Sequence, residues 1–107
     1  MKQIERIKLM EQHLDRAASA VKRLSTALDE YETAQDAIKA LSDYYGSKEW
    51  KQDFADDESR QRNDGKGSRW PEDLKRGVLS EDAIWNLLED CKALREQCAA
   101  IAAAKLP

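Results

Sequence analysis

The side chains that could do chemistry in this chain are spread out rather than gathered. Carboxylates at Asp53, Asp57, Asp82 and Asp90 are the set a metal-dependent helical hydrolase would draw on, because acidic oxygens hold divalent cations and a held cation activates water. The E-x-x-E and His pairs common to such helical sites are missing. Glu32 and Asp36 stand one helical turn apart with no third ligand to join them, so they read as solvated helix surface. His13 is the single histidine and flanks Leu14. No Cys, Ser or Asp constellation can be placed around it, so it reads as a helix-surface residue rather than a base.

Cys91 and Cys98 are seven residues apart, about 10.5 Å along a helix axis, beyond the reach of a disulfide. Both fall on an apolar seam and read as small buried hydrophobes. One His with two Cys does not make a zinc site, and a disulfide between chains would need an oxidising compartment. The chemistry-bearing residues therefore point to no catalytic constellation, no metal and no cofactor.

The elements that would position these residues are helical. From residue 4 to 41 apolar side chains recur at Ile7, Met10, Leu14, Ala17, Val21, Leu24, Leu28, Tyr31 and Ile38, in the three-then-four steps of a helical seam. Gln35 is the one polar interruption, and no Gly or Pro precedes Gly46. A helix over about 2–45 follows, roughly 60 Å long. Gly46 can take the left-handed conformation that ends it, and Ser47 can cap the next helix, over about 48–58. Trp50 and Phe54 form the apolar face of that short helix. Asp53, Asp56, Asp57 and Glu58 put negative charge at its C-terminal end, which opposes the helix dipole and predicts early fraying.

Residues 59–70 read as a mobile polar loop with an Asn63-Asp64-Gly65 turn signal. Arg60, Arg62, Lys66 and Arg69 against Asp64 make it the one locally basic stretch, a possible contact arm for phosphate or an acidic partner. Trp70-Pro71 closes it, with Pro71 suited to the first turn of a short helix through Leu74. Ser80-Glu81-Asp82 opens a last helix over about 81–105, whose seam is Ile84, Leu87, Cys91, Leu94, Cys98 and Ile101. A single all-α domain over 1–107 results: a long antiparallel helical hairpin, coiled-coil-like, with a short helix and an irregular loop at its tip. Trp50, Trp70 and Trp85 are expected to plug the wide end of the pair.

Tyr44-Tyr45-Gly46-Ser47 with Trp50, then Asp73-Leu74-Lys75-Arg76-Gly77-Val78-Leu79-Ser80-Glu81-Asp82 with Ile84, Trp85, Leu87 and Leu88, resembles a family of small bacterial proteins catalogued as a domain of unknown function. The resemblance runs from the first helix to about Leu94. It implies a small helical domain from a bacterium or its phage or mobile elements, and no activity. Between Glu58 and Pro71 the chain is longer and more polar than that pattern. The 73–82 run reads as a fixed corner, with Gly77 turning the chain, Val78 and Leu79 plugging the core and Ser80 capping. Its alternative use is Lys75 and Arg76 as paired cations for an anion near the last helix.

The net charge of -3, from 18 basic and 21 acidic residues, is modest and interspersed, with no basic stripe for nucleic acid. Lys2, Glu5, Arg6 and Lys8 leave no apolar h-region for a signal peptide, and no run is long enough to span a membrane. The expectation is a cytoplasmic, non-enzymatic protein-interaction or regulatory module. Its alternative is a small inhibitor or antitoxin of anti-defence type that blocks a larger nucleic-acid enzyme, with the carboxylate hydrolase third. The last helix is shorter than the first, so Ile4, Ile7, Met10 and Leu14 are left for a partner, and homodimerisation through them is expected. Trp50, Arg60, Arg62, Arg69, Trp70, Lys75 and Arg76 complete the candidate partner-binding residues.

Overall fold

A computed structural model describes residues 2–67 and 69–104. The chain is all-α: α1 (Gln3–Thr33), α2 (Gln35–Tyr45), α3 (Lys48–Arg62), a 3-10 turn (Gly77–Leu79) and α4 (Ala83–Ala103), with no strand among the described residues. No described helix is long and apolar enough to cross a membrane. The residues fall into two compact units, Met1–Asp36 and Ala37–Pro107.

In the first unit the helix expected over 2–45 is interrupted at Ala34, and the polar residue in the seam explains the break. The Ala34 N–H is shared between the Glu30 carbonyl at 3.0 Å and the Tyr31 carbonyl at 3.1 Å, a tightening from α to 3-10 spacing. The Gln35 side chain donates to the Tyr31 carbonyl at 3.2 Å, occupying the oxygen that the next backbone N–H would use. Just before this, Thr33 Oγ1 donates to the Asp29 carbonyl at 3.0 Å, a back-bond of the kind that weakens a helix interior. Thr33, Ala34 and Gln35 thus divide α1 from α2 without glycine or proline.

The second unit is held by a few well-placed bonds around a thin core. Ser47 caps α3 as its sequence implies: its hydroxyl accepts from the Trp50 N–H at 3.2 Å and donates to the Tyr44 carbonyl at 2.5 Å. Tyr44 donates to Asp53 Oδ2 at 2.6 Å, tying α2 to α3. Tyr45 meets Trp50 edge-on with centroids 4.8 Å apart, and Trp50 stacks on Phe54 at 5.2 Å. Trp50 Nε1 donates to the Val78 carbonyl at 2.8 Å, which docks the 3-10 turn on α3. Leu79 and Ile84 are the buried apolar residues, and Asp57 is buried with them, 5% exposed. Asp57 is paired with Arg76 and also accepts from Gln61 Nε2 at 2.9 Å. The 73–82 run is therefore a corner: Leu79 fills the core while Val78, 39% exposed, does not, and the Ser80 hydroxyl accepts from the Ala83 N–H at 3.2 Å.

Several local expectations are corrected. α3 continues four residues past Glu58, to Arg62, because Arg60 and Arg62 in its last turn complement the dipole that the acids oppose. Positive φ falls at Asp64, Gly65 and Gly67 rather than at Gly46 or Gly77. Residues 71–74 form one turn, closed by the Leu74 N–H on the Pro71 carbonyl at 3.2 Å, instead of a short helix. Trp85 is 52% exposed and outside any plug; Ile84, about 100° away round α4, takes the buried position. Cys91 is half-buried and Cys98 exposed, both free thiols, not two buried hydrophobes.

Two outcomes follow for stability. Burial, reinforced by the hydrogen bond to Asp53, pushes the Tyr44 phenol from 10.0 up to about 12. The folded state keeps a proton that the unfolded chain loses at 10.0, so this contribution is full below that pH and disappears as pH rises to about 12. Denaturation curves of wild type and Tyr44→Phe are expected to differ by a pH-dependent amount only in that interval. Asp57→Ala strands Arg76 and empties the corner, and is expected to cost about 2–3 kcal/mol in urea unfolding.

Candidate functional site

Two surfaces carry the residues singled out from sequence, one in each unit. On α1, Ile4, Ile7, Met10, Leu14, Val21, Leu24 and Leu28 are exposed, from 44% at Leu28 to 69% at Val21. The 3–4 spacing places Ile7 to Leu28 along one stripe, and none of the α1 residues is buried. Charge is distributed unevenly beside it. Lys2, Arg6 and Lys8 outnumber Glu5 and Glu11 near the start of the helix, while Asp29, Glu30, Glu32 and Asp36 lie around its end with no base among them. A row of aliphatic side chains of this length in water is a standing free-energy cost that a partner surface would remove.

The second surface is built by the end of α3. Asp56, Ser59, Arg60 and Asn63 are spaced 3, 1 and 3, so they share one helical face. The chain then folds back over that face through a Schellman ending: the Gly65 N–H reaches the Arg60 carbonyl at 2.9 Å and the Asp64 N–H the Gln61 carbonyl at 3.2 Å. Asp64 at φ 52° and Gly65 at φ 77° supply the left-handed pair this ending and the following turn require. The turn closes with the Lys66 N–H on the Asn63 carbonyl at 2.9 Å. As a result Lys66, Gly67, Arg69 and Trp70 line a cleft with the α3 face.

The electrostatics of this cleft are one-sided. Among the described residues the ion pairs are Lys39–Asp43 and Arg76–Asp57, so Arg60, Lys66 and Arg69 meet no carboxylate at ion-pair distance. Asp56 is the one acid in the lining, and its Oδ1 accepts from Gln52 Nε2 at 2.9 Å. Arg60 Nε is buried and has no hydrogen-bond partner, a state that costs about 1–3 kcal/mol when the donor stays unmet.

Of the candidate residues, the structure thus brings Arg60, Arg69 and Trp70 together and leaves the rest apart. Arg62 lies beside Glu58 and Gln61 at a separate depression. Lys75 edges an apolar hollow with Leu41, Val78, Ile84 and Leu87. Arg76 is committed to Asp57, and Trp50 to Val78. Ser59 and Asn63 are cleft residues absent from the sequence-based set, and their helical spacing to Arg60 becomes visible once α3 reaches Arg62; Lys66, part of the basic stretch read from sequence, is brought to them by the turn after α3. Of the hydrolase carboxylates, Asp53 accepts from Tyr44 and Asp57 pairs with Arg76. No three His, Cys, Asp or Glu residues cluster for a metal among the described residues, and His13 is exposed on α1.

Gly65→Ala is expected to destabilise the protein by about 1 kcal/mol, since a side chain at φ 77° is strained. Hydrogen exchange at the Lys66 amide should accelerate with it, because that amide depends on the same turn.

No curated protein and no solved structure matches the chain. The family model described as Domain of unknown function (DUF4298) matches residues 7–101. The Tyr-Tyr-Gly-Ser and Leu-Lys-Arg-Gly-Val-Leu-Ser-Glu-Asp runs lie within that match, and the chain belongs to this family.

Proposed function

We propose that this protein is a non-enzymatic interaction module that works as a homodimer, with α1 of one copy laid antiparallel on α1 of another. The observation that carries this is the exposed aliphatic stripe from Ile4 to Leu28. An antiparallel pairing centred near Ser19 sets Ile7 opposite Tyr31 of the second copy, Met10 opposite Leu28, Leu14 opposite Leu24 and Ala17 opposite Val21. Large residues then meet large ones at both ends, and the small residues at Ala17, Ala18, Ser19 and Ala20 let the backbones approach in the middle.

Charge favours the same orientation. In this register Arg6 and Lys8 come level with Glu32 and Glu30 of the second copy, and Arg23 with Asp15. Arg16 and Lys22 are the one like-charged match, and they share the outer face with the opposite-charge matches Lys8–Glu30 and Arg23–Asp15. A parallel pairing would instead set Asp29, Glu30, Glu32 and Asp36 beside their own copies, which is repulsive. A rod with an aliphatic seam and opposite charge at its two ends is suited to joining chains and presenting the second unit twice.

Sedimentation equilibrium is expected to give twice the monomer mass, and Leu24→Asp to give a folded monomer. Orientation is read by a spin label at Thr33→Cys in a Cys91→Ser, Cys98→Ser background. The antiparallel dimer puts the two labels about 42 Å apart, 28 residues of helical rise, whereas a parallel dimer puts them side by side. A wild-type monomer at high micromolar concentration would remove the proposal.

A further inference from the structure

The cleft at the end of α3 is independent of the α1 seam. We propose that Ser59, Arg60, Asn63, Lys66 and Arg69, with Trp70 as a wall, form a binding site for the phosphate group of a small phosphorylated ligand. Three cations line the cleft against one acid, Asp56, leaving an excess of two positive charges, the amount a dianionic phosphate neutralises; a single carboxylate would leave half of it unmet. Ser59 and Asn63 add a hydroxyl and an amide on the same helical face.

The second observation is Arg60. Arg60 lines this cleft, and its Nε is shut from solvent and without a hydrogen-bond partner among the described residues. With no carboxylate paired to it among the described residues, the planar guanidinium is left to present its terminal N–H groups, a fork that can hold two oxygens of one phosphate group. Arg60 and Lys66 are held on hydrogen-bonded backbone. Arg60 is in the last turn of α3, and the Schellman ending and the Asn63–Lys66 turn bring Lys66 round to it. Gly67, at φ 77°, has open space where a side chain would stand, so the mouth stays clear. The cleft volume of about 330 Å³ exceeds what a phosphate alone fills, leaving room beside the Trp70 indole for the rest of the ligand.

A free phosphate ion and a mononucleotide share this chemistry, and a titration separates them. Inorganic phosphate and adenosine 5′-monophosphate are added separately to the full-length protein and followed by backbone amide shifts. Saturable shifts at residues 59–70 are expected, weakening as sodium chloride is raised. Arg60→Gln and Arg69→Gln should each weaken binding about tenfold while far-UV circular dichroism is unchanged. Arg69 lies outside every helix, so its variant decides the matter if Arg60→Gln unfolds. Tighter binding of the nucleotide places its base on Trp70, and equal binding assigns affinity to the phosphate; either sustains the site. No saturable shift with either probe, or undiminished binding in folded Arg60→Gln and Arg69→Gln, overturns it.

Discussion

The second unit depends on the ion pair between Asp57 and Arg76 at the corner where α3 meets the 3-10 turn. A carboxylate that is 5% exposed is tolerable only because a guanidinium and the Gln61 amide surround it. The pair joins α3 to the segment before the 3-10 turn, so it sets where Leu79 and Ile84 enter the core. It also sets the rotation of α3. With Asp57 turned inward, Asp56, Ser59, Arg60 and Asn63 share another face, and the cleft is built on that face. A position chosen for stability therefore decides which side of the helix meets the returning loop.

Such reliance on polar anchors suits a chain of this size. Few residues are deeply buried, and Leu79 and Ile84 alone cannot specify one arrangement of three short elements. Directional bonds do so instead: Tyr44 to Asp53, Trp50 to Val78, Ser47 and Ser80 at helix starts. Each is modest in net free energy but directional, so a wrong register forfeits the bond and the arrangement it fixes.

Much of this architecture is legible from residue order. The helical seam, the absence of early glycine, the two capping serines and the Asn63-Asp64-Gly65 turn all act locally and leave local signals. The helix break at Ala34 does not, because it needs the Gln35 side chain to fold back onto the Tyr31 carbonyl. The length of α3 is masked in the sequence because Asp56, Asp57 and Glu58 oppose the dipole and mimic a helix end, while the compensating Arg60 and Arg62 sit in a polar, loop-like stretch. That boundary also concealed the 56–59–60–63 face. Asp57 reads as a solvated acid because its partner lies 19 residues away, and no spacing rule links them. The exposure of Trp85 beside buried Ile84 likewise depends on which way α4 is rotated.

The separations of these anchors have a kinetic meaning. Helix starts and turns close over three to five residues and form within about a microsecond. The Trp50 bond to Val78 spans 28 residues and the Asp57 pair 19, and these loops must be closed before any contact at the corner repays the lost chain entropy. Docking of the Arg76–Leu79 segment on α3 is thus expected to be the slowest step in folding of the second unit. Because the remaining contacts are local, that event belongs to the microsecond-to-millisecond class of helical folds, and a chain emerging from synthesis cannot complete it until residues 76–79 are free.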